Sequence, residues 1–223
     1  MTEFETLTGL VEKQSGVVVS MPAHLARSLI EDTSWLYTNY ERLVEAGIRR
    51  PANMANDRHR SAAGGILFGS YAKDIVYGAL SLTTEGLPTY GEVCCRLRSI
   101  TIEKRTSFLK TNSYRFVSDH NIGAGDELPV GYAACWEERH CLVLAKLVQL
   151  LSTGQTEPDW QAKLIRSDGK DRNNDDFVEA HVFGSFDRNA INSVVGASDK
   201  GLSKGKKLDR DLAISAFEEL SGK

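Results

Sequence analysis

The sequence predicts an α+β protein in which helices come first and mostly antiparallel strands follow. Three observations indicate this class: apolar residues at helical spacing in the first third, alternating β-branched and aromatic residues in the middle, and an amphipathic segment at the end. The chain has 223 residues, a length at which one core is the default, so we expect a single domain over 1–223. Within it we expect a helical part over 1–47, a β-rich core over 64–195, and a linker with a final helix over 200–223.

Composition and charge exclude several classes of protein. The 27 Lys and Arg residues against 30 Asp and Glu give a formal charge of -3, so a protein that is basic as a whole is excluded. The longest nearly apolar run, over 141–151, is too short to cross a membrane, and the acidic start lacks the pattern of a secretory signal. Four cysteines do not make a disulfide framework in a chain of this length. We therefore predict a reduced, cytoplasmic protein with no membrane partner, while export by a specialised secretion system stays open.

The first third of the chain is predicted to contain helices and one strand. A short N-terminal helix is indicated by apolar residues on one face, namely Phe4, Leu7, Leu10 and Val11. The β-branched run at 16–20 predicts a buried strand. Pro22 suits the start of the next helix. Thr33 or Ser34 is a suitable cap for another helix, which Gly47 ends.

The middle of the chain is predicted to be irregular at first and then rich in strands. The irregular segment is 48–63, and it precedes a glycine-flanked apolar strand over 64–69 and a short helix over 71–80. Three further strands are predicted from their alternation, at 90–98, 105–108 and 113–117. A long amphipathic helix is then predicted over 126–151, with Gly154 just past its end.

The last third is predicted to contain one strong strand between polar segments. Residues 159–176 are polar and indicate a loop around one short element. Residues 177–183 alternate strongly enough to predict a strand, and 187–195 are predicted to be helical. Four lysines and two glycines over 200–207 indicate an exposed linker. An amphipathic helix over 208–220 then ends the chain.

The spacing of the metal-binding residue types does not support a metal site. Cys135, His140 and Cys141 lie close together, but a structural zinc site takes four ligands in spaced pairs, and these three fall on a predicted helix where they do not converge. We therefore predict no metal site. The P-loop, the dinucleotide-binding fingerprint and the nucleophile elbow of hydrolases are absent from the sequence. A hydrolase that uses Cys94, Cys95 or Cys141 stays a minor hypothesis.

Four arginines fall in the irregular segment 48–63, namely Arg49, Arg50, Arg58 and Arg60. Guanidinium groups bind phosphate bidentately, so this segment is a candidate contact for phosphate or nucleic acid. A solvated surface loop explains the same residues. The sequence leaves both interpretations open.

A glutamate in the middle of the strand 177–183 is the strongest candidate for a functional side chain. Because side chains alternate along a strand, Glu179 shares a face with Phe177, His181 and Phe183. Two aromatic rings and a histidine are unusual neighbours for a carboxylate on a solvent face. Glu179 therefore either faces a functional site or lies at a solvent edge of the sheet.

Five segments resemble, in order, an uncharacterised bacterial family and the catalytic domain of ADP-ribosyltransferases of the diphtheria-toxin and poly(ADP-ribose) polymerase type. They lie at 67–71, 77–82, 90–98, 105–108 and 177–184, and the resemblance covers about residues 40–195. Gly65-Ile-Leu-Phe68 is similar to that type's Gly-Ile-Tyr-Phe strand, and 73–77 to the following helix and its tyrosine. Residues 92–98 are similar to the central strand, and 177–179 to the strand that carries the catalytic glutamate.

The resemblance implies an ADP-ribosyltransferase-like fold with a split β-sheet core. The implied activity is cleavage of the nicotinamide–ribose bond of NAD and transfer of ADP-ribose to a macromolecule or to water, as in a bacterial toxin or effector. The catalytic residues that it implies are Glu179, Tyr77 and Ser107. The NAD-binding residues that it implies are Arg98, Tyr71, Phe68 and Gly65.

Two departures from that family's pattern keep a second hypothesis open. Leu67 stands where a tyrosine is usual, and the strand over 17–21 lacks the histidine that the family carries on its first strand, since the next histidine is His24. The alternative is a non-catalytic module of the same fold. Such a module would use the arginines of 48–63 to bind nucleic acid or a protein partner.

Overall fold

The fold is a seven-stranded antiparallel sheet with α-helices packed on it, which confirms the α+β class. The structure is a computed structural model that describes residues 2–51, 54–198 and 202–222. The strands are β1 Gly16–Met21, β2 Ile75–Ser81, β3 Val93–Leu97, β4 Thr106–Leu109, β5 Ala133–Cys135, β6 Glu179–Phe183 and β7 Ile191–Gly196. The α-helices are α1 Glu3–Gln14, α2 Ala23–Glu31, α3 Tyr40–Glu45, α4 Met54–Phe68, α5 Ser99–Ile102, α6 Ser113–Asp119, α7 Arg139–Leu147, α8 Glu157–Leu164 and α9 Lys204–Ser221.

The strands pair into one continuous sheet in the order β5-β4-β6-β2-β1-β3-β7. Every pairing is antiparallel. The resemblance implied a split sheet, and this expectation is corrected: β1 pairs with both β2 and β3, and β6 pairs with both β2 and β4, so the hydrogen bonding runs unbroken through the centre.

One face of the sheet carries the main hydrophobic core. Val17, Val19 and Met21 of β1 are fully or almost fully buried there, together with side chains of α1, α2, α7, α8 and α9. Leu25 of α2 and Leu142 of α7 are among these buried residues. Burial of one such leucine contributes about 2 kcal/mol, so this face supplies most of the stabilisation of the sheet. Among the described helices, none is both long and apolar enough to span a membrane.

The opposite face of the sheet is more polar and carries a smaller apolar cluster. Ala79, Leu87 and Phe177 form this cluster. Helices α4 and α6 pack against each other and approach this face. Because Tyr77 of β2 pairs with His181 of β6, their side chains point to the same side as this cluster and not into the main core.

Several predicted elements are confirmed. The strands predicted at 16–20, 90–98, 105–108 and 177–183 correspond to β1, β3, β4 and β6. The helices predicted at the N-terminus, after Pro22 and at the end of the chain correspond to α1, α2 and α9. In each case the hydrophobic period was long or clear enough to distinguish helix from strand.

The segment from 48 to 80 is where the prediction was wrong. Residues 64–69 are not a strand, because α4 continues to Phe68 and a 3-10 helix follows over Gly69–Asp74. The glycines that suggested strand boundaries lie within or just after α4, and Gly69 has a φ of 55°. Residues 75–81 are strand β2 and not the end of a helix, because their apolar side chains fill a central position of the sheet.

Three further segments differ from their predictions. Residues 113–119 are helix α6, because the Asn112 side chain caps it by accepting from the backbone N–H groups of Tyr114 and Arg115 at 3.0 and 3.4 Å. Residues 191–196 are strand β7, where the β-branched pair 194–195 suits an edge strand. The long helix predicted over 126–151 is replaced by a loop, β5 and the shorter α7.

The two remaining differences concern the length of helices. The helix predicted over 33–47 is limited to α3, which the Asn39 side chain caps by accepting from the N–H of Glu41 at 2.6 Å. The predicted linker over 200–207 lies partly outside the described residues, at 200–201. Its last four residues already belong to α9, which Ser203 caps. The lysine-rich residues 204–207 therefore form the first turn of a helix and not a linker.

The close approach of β2 to β1 at Gly78 predicts a stability defect. A Cβ added at Gly78 would lie 2.8 Å from Val17 Cγ1 and 2.9 Å from the Val18 carbonyl oxygen. We expect Gly78→Ala to lower the free energy of unfolding in urea by about 1–3 kcal/mol, because the backbone of a central strand must shift. Gly9→Ala is the control, since nothing lies within 4 Å of its Cβ, and it should be neutral or stabilising by about 1 kcal/mol. Equal stability of Gly78→Ala and wild type would contradict this account.

Candidate functional site

A cleft opens on the polar face of the sheet, between strands β1, β2 and β6 and helices α4 and α6. Its cavity volume is about 110 Å³. Hydroxyl, carboxylate, guanidinium and aromatic groups line it together. A concave site that combines apolar walls with a few converging polar groups is typical of a small-molecule site.

The carboxylate of Glu179 lies in this cleft, at the start of β6. The residue is 5% exposed. Its Oε1 accepts three hydrogen bonds, from Ser113 N at 3.1 Å, from Ser113 Oγ, and from His181 Nε2 at 2.9 Å. Its Oε2 accepts none from the described residues. Because Glu179 lines the cleft, Oε2 is the oxygen that a ligand can reach.

Ser113 reaches Glu179 because of a local helix start. Leu109, at the end of β4, pairs with Glu179 across the sheet, and the chain enters α6 four residues later. The Asn112 cap begins this helix with Ser113 as its first residue. The Ser113 N–H and O–H therefore both point at the carboxylate, and Ser113 Oγ lies 3.3 Å from His181 Nε2.

An aromatic wall stands beside the carboxylate. Tyr77 pairs with His181 across β2 and β6, and their rings meet edge to face with centroids 5.5 Å apart. Phe68, the last residue of α4, contacts the His181 ring at 4.8 Å and the Tyr77 ring at 6.4 Å. A Cβ added at Gly64 would lie 3.1 Å from the Tyr77 hydroxyl oxygen, so this glycine allows α4 to pass close to the wall.

Helices α4 and α6 form the side of the cleft opposite the sheet. The His59 and Tyr114 rings stack with centroids 4.3 Å apart and planes 6° from parallel. Both residues line the cleft. A stacked pair of this kind presents a flat polar surface at the mouth, of the type against which a planar ring of a ligand can pack.

Arginines form a basic rim around the buried carboxylate. Arg60 and Arg172 line the cleft, and each guanidinium lies over a tyrosine ring, Arg60 over Tyr40 at 4.4 Å and Arg172 over Tyr90 at 4.8 Å. Arg115 lines the cleft as well. Among the described residues, no carboxylate forms an ion pair with any of these three arginines. Their charge is therefore available to an anionic ligand.

Two phenols in the cleft are held in the protonated form. Burial raises the pKa of Tyr77, and the negative charge of Glu179 raises it further. The pKa of Tyr90 is raised by the same two causes in the same order. Both hydroxyl groups are therefore hydrogen-bond donors at neutral pH and above it.

The residues that the resemblance implied divide into two groups. Glu179 and Tyr77 line the cleft, and Phe68 supports its wall. Four lie outside its lining. Ser107 is exposed on β4, Arg98 is exposed and donates to the Ile191 carbonyl at 3.0 Å, Tyr71 is 61% exposed against Phe183, and Gly65 is exposed on α4 with nothing within 4 Å of its Cβ.

The four arginines of 48–63 also separate in space. Arg60 is in the cleft, Arg58 is exposed on the same helix, and Arg49 and Arg50 follow α3 and line a neighbouring groove. The segment is not the irregular loop that the sequence predicts, because α4 begins at Met54. Its arginines therefore have distinct positions.

Several cleft residues were missed by the sequence analysis, namely Ser20, His59, Tyr90, Ser113, Tyr114, Arg115 and Arg172. Only Ser113 carried a local signal, the Asn-Ser pair that caps a helix. Arg172 lies in the polar segment predicted as a loop, and nothing in its neighbours indicates a site. These residues converge only through long-range packing.

The cysteines differ in their exposure and reactivity. Cys94 and Cys95 are buried, and burial raises the pKa of both thiols, which makes them poor nucleophiles. Cys135 and Cys141 are exposed on β5 and α7. Within the part of the chain that the structure describes, no three His, Cys, Asp or Glu side chains are placed to hold a metal ion.

The polar cluster differs from a serine hydrolase triad. In such a triad the serine and the carboxylate contact opposite nitrogens of the histidine. Here Ser113 Oγ and Glu179 Oε1 both lie next to His181 Nε2. The cluster instead orients one carboxylate oxygen and leaves the other free to face a positive charge.

Comparison of the chain with protein-family models found no match, and a search of curated proteins found no similar sequence. The function is therefore inferred from the geometry of the cleft. Its main features are an oriented carboxylate, aromatic walls and a basic rim.

The effect of the Glu179 charge on the pKa values of Tyr77 and Tyr90 can be tested by removing that charge. We expect Glu179→Gln to lower the pH at which these two phenols ionise, because the nearby negative charge is removed. Titration of ring-labelled tyrosine by nuclear magnetic resonance measures this. In the unfolded chain the phenols ionise near pH 10, which is below the pH at which they ionise in the folded protein. The free energy of unfolding should therefore fall as the pH rises above about 10, and it should fall less steeply in the variant. Glu219→Gln, on the exposed face of α9, is the control, and unchanged phenol titration in Glu179→Gln would contradict the link.

Proposed function

We propose that the cleft binds NAD, cleaves its nicotinamide–ribose bond and transfers ADP-ribose to a macromolecule or to water. The observation that carries this proposal is the buried carboxylate of Glu179, with one oxygen held by Ser113 and His181 and the other open to the cleft. The resemblance to ADP-ribosyltransferases, and an ADP-ribosyltransferase-like core, are part of the same proposal.

The chemistry requires a negative charge beside the ribose. As the bond between C1′ and the nicotinamide nitrogen breaks, the electron pair leaves with nicotinamide and positive charge develops on C1′ and the ring oxygen, as in glycoside cleavage. The Oε2 atom of Glu179 stabilises that charge. The acceptor then forms a bond to C1′ through a lone pair, and its proton passes to the solvent. The hydrogen bonds to Oε1 hold the carboxylate in place before the charge appears.

The other cleft residues match the remaining parts of the substrate. Tyr77 is a flat surface next to the carboxylate on which nicotinamide can stack. Arg60 and Arg115 can neutralise the pyrophosphate, because they carry no described carboxylate partner. A substrate with two negative phosphates and a developing positive ribose matches both signs of charge in this cleft.

A non-catalytic module of the same fold is the second candidate. The observation that favours it is that β1 contributes Val18 and Ser20 to the cleft and no histidine. Ser20 Oγ accepts from Leu87 N at 2.9 Å and contacts Cys94 Sγ at 3.6 Å, so it is partly occupied by the protein itself. Such a module would bind an anionic ligand without cleaving it.

Removing the charge of Glu179 tests the catalytic proposal. We expect Glu179→Gln to lower the kcat for nicotinamide release from NAD about 100-fold or more, because the positive ribose loses its stabilising charge. Chromatographic measurement of nicotinamide gives the rate, and calorimetry gives NAD binding. Glu219→Gln makes the same change on an exposed helix face and should act like wild type.

The outcomes of this experiment separate the two candidates. Equal rates of nicotinamide release in wild type and Glu179→Gln would overturn the role of Glu179. NAD binding without nicotinamide release by wild type would support the non-catalytic module. Absence of NAD binding would overturn the catalytic proposal and would be expected of a module that binds nucleic acid or a protein partner instead.

A pair of serine variants tests which hydroxyl supports the carboxylate. Ser113→Ala removes a hydrogen bond to a charged group, which contributes about 1.5–3 kcal/mol. We therefore expect its kcat to fall about 10- to 100-fold, with native circular dichroism. Ser107→Ala is the matched control on exposed β4, and its kcat should stay within about twofold of wild type. A larger loss in Ser107→Ala than in Ser113→Ala would show that the resemblance, and not the cleft, identifies the serine.

A further inference from the structure

A second groove lies next to the cleft, at the edge of the sheet where β1 ends and β3 begins. Its cavity volume is about 460 Å³. Its lining includes Arg49, Arg50 and Lys206, and it shares Tyr90 and Arg172 with the cleft. The two depressions therefore adjoin at these shared side chains.

The charges of the groove do not balance. Lys206 is paired with Glu92, the carboxylate in the groove's lining, at 2.5 Å. Arg49, Arg50 and Arg172 form no ion pair with a carboxylate of the described residues. The described partners of Arg49 and Arg172 are backbone oxygens and tyrosine side chains.

The guanidinium groups are also close enough to repel one another. Burial lowers the pKa of Arg172, and the positive charges of Arg60 and Arg49 lower it further. Arg49 and Arg60 both lie over the Tyr40 ring, at 4.8 and 4.4 Å. The buried Asp175 lies within electrostatic reach of Arg172, but burial raises the pKa of that carboxyl. An incoming anion would relieve this repulsion.

We propose that this groove binds a single strand of nucleic acid and presents it to the cleft as the acceptor of ADP-ribose. Arg49 and Arg50 contact successive phosphates, and Arg172 contacts the phosphate at the junction. The Tyr90 ring, in contact with Arg172 at 4.8 Å, is the surface on which a base stacks. The acceptor role rests on the proposed function, whereas the binding of the strand does not.

The depth of the cleft favours a single strand over a duplex. Glu179 is 5% exposed and lies below the rim formed by α4 and α6. A base inside a duplex cannot reach such a position unless it is flipped out, whereas an unpaired base can. In the transfer, a nitrogen or oxygen of the strand forms a bond to C1′ of the ribose, its proton passes to the solvent, and nicotinamide leaves with the electron pair of the broken bond.

Binding is tested by fluorescence anisotropy with labelled oligomers of about twenty nucleotides, a length above typical single-strand site sizes. The probes are oligothymidine, oligouridine and a duplex of equal length. We expect both single strands to bind more tightly than the duplex. We expect Arg49→Ala/Arg50→Ala to lower affinity about 10-fold or more, and to reduce the slope of log affinity against log salt by about 1.4, for two lost phosphate contacts.

Three further proteins keep the binding result interpretable. Arg50→Ala alone, at an exposed position, should reduce the salt slope by about 0.7 even if the double variant is unstable. Lys13→Ala removes an exposed charge from α1, and its affinity should be unchanged. Glu219→Gln, which removes a charge from the exposed face of α9, should bind the strand like wild type. The proposed ligand would be overturned by unchanged affinity in the arginine variants or by tighter binding of the duplex. It would also be overturned if polyglutamate displaced the labelled strand as effectively as an unlabelled strand does.

Transfer is tested with NAD that is labelled on its adenylate phosphate. We expect wild type to label the oligonucleotide, and Arg49→Ala/Arg50→Ala to lose this labelling while it still releases nicotinamide. Label found only on protein would overturn the acceptor role. If wild type releases no nicotinamide, the proposed function and the acceptor role fail together, and anisotropy alone then decides whether the groove binds a strand.

Discussion

The buried carboxylate of Glu179 is the constraint on which the cleft depends. A charge that is removed from water destabilises a fold unless it is paired or hydrogen-bonded. Here Ser113 supplies two donors and His181 a third, all to the same oxygen. This requires β4, the turn after it and the start of α6 to hold one geometry. The carboxylate is thus tied to the sheet and to the helix above it, with its second oxygen left for a ligand.

One face of the sheet carries the main hydrophobic core, and the other face carries the cleft. Strand register is set by the apolar side chains that β1, β2 and β6 bury in the main core. On the opposite face, the same register pairs Tyr77 with His181. Glu179 lies two residues before His181 on β6, and its side chain points to that same face. A shift by one residue would turn Glu179 into the core, so the core also fixes the geometry of the cleft.

Sequence reasoning found the part of the site that depends on strand period. Alternation along 177–183 placed Glu179 and His181 on one face, because β-strand geometry allows no other arrangement. It did not find Ser113, because 113–117 is rich in residues that also favour strands, and the Asn112 cap decided the outcome. The choice between Ser107 and Ser113 depends on packing between α6 and β6. Arg172 gave no local signal, since only the folded chain brings it to Tyr90.

The distribution of charge connects the cleft and the groove. The described partners of Glu179 are Ser113 and His181, and it forms no ion pair with an arginine of the described residues. Arg49, Arg60 and Arg172 are instead held near one another by tyrosine rings. Positive charges that lie close together without counter-ions destabilise a fold, and surfaces that carry such charges are those that bind anions. Phosphates at the rim and a cationic ribose at the carboxylate would satisfy charges of both signs in the same cleft, which neither an uncharged ligand nor a simple anion can do.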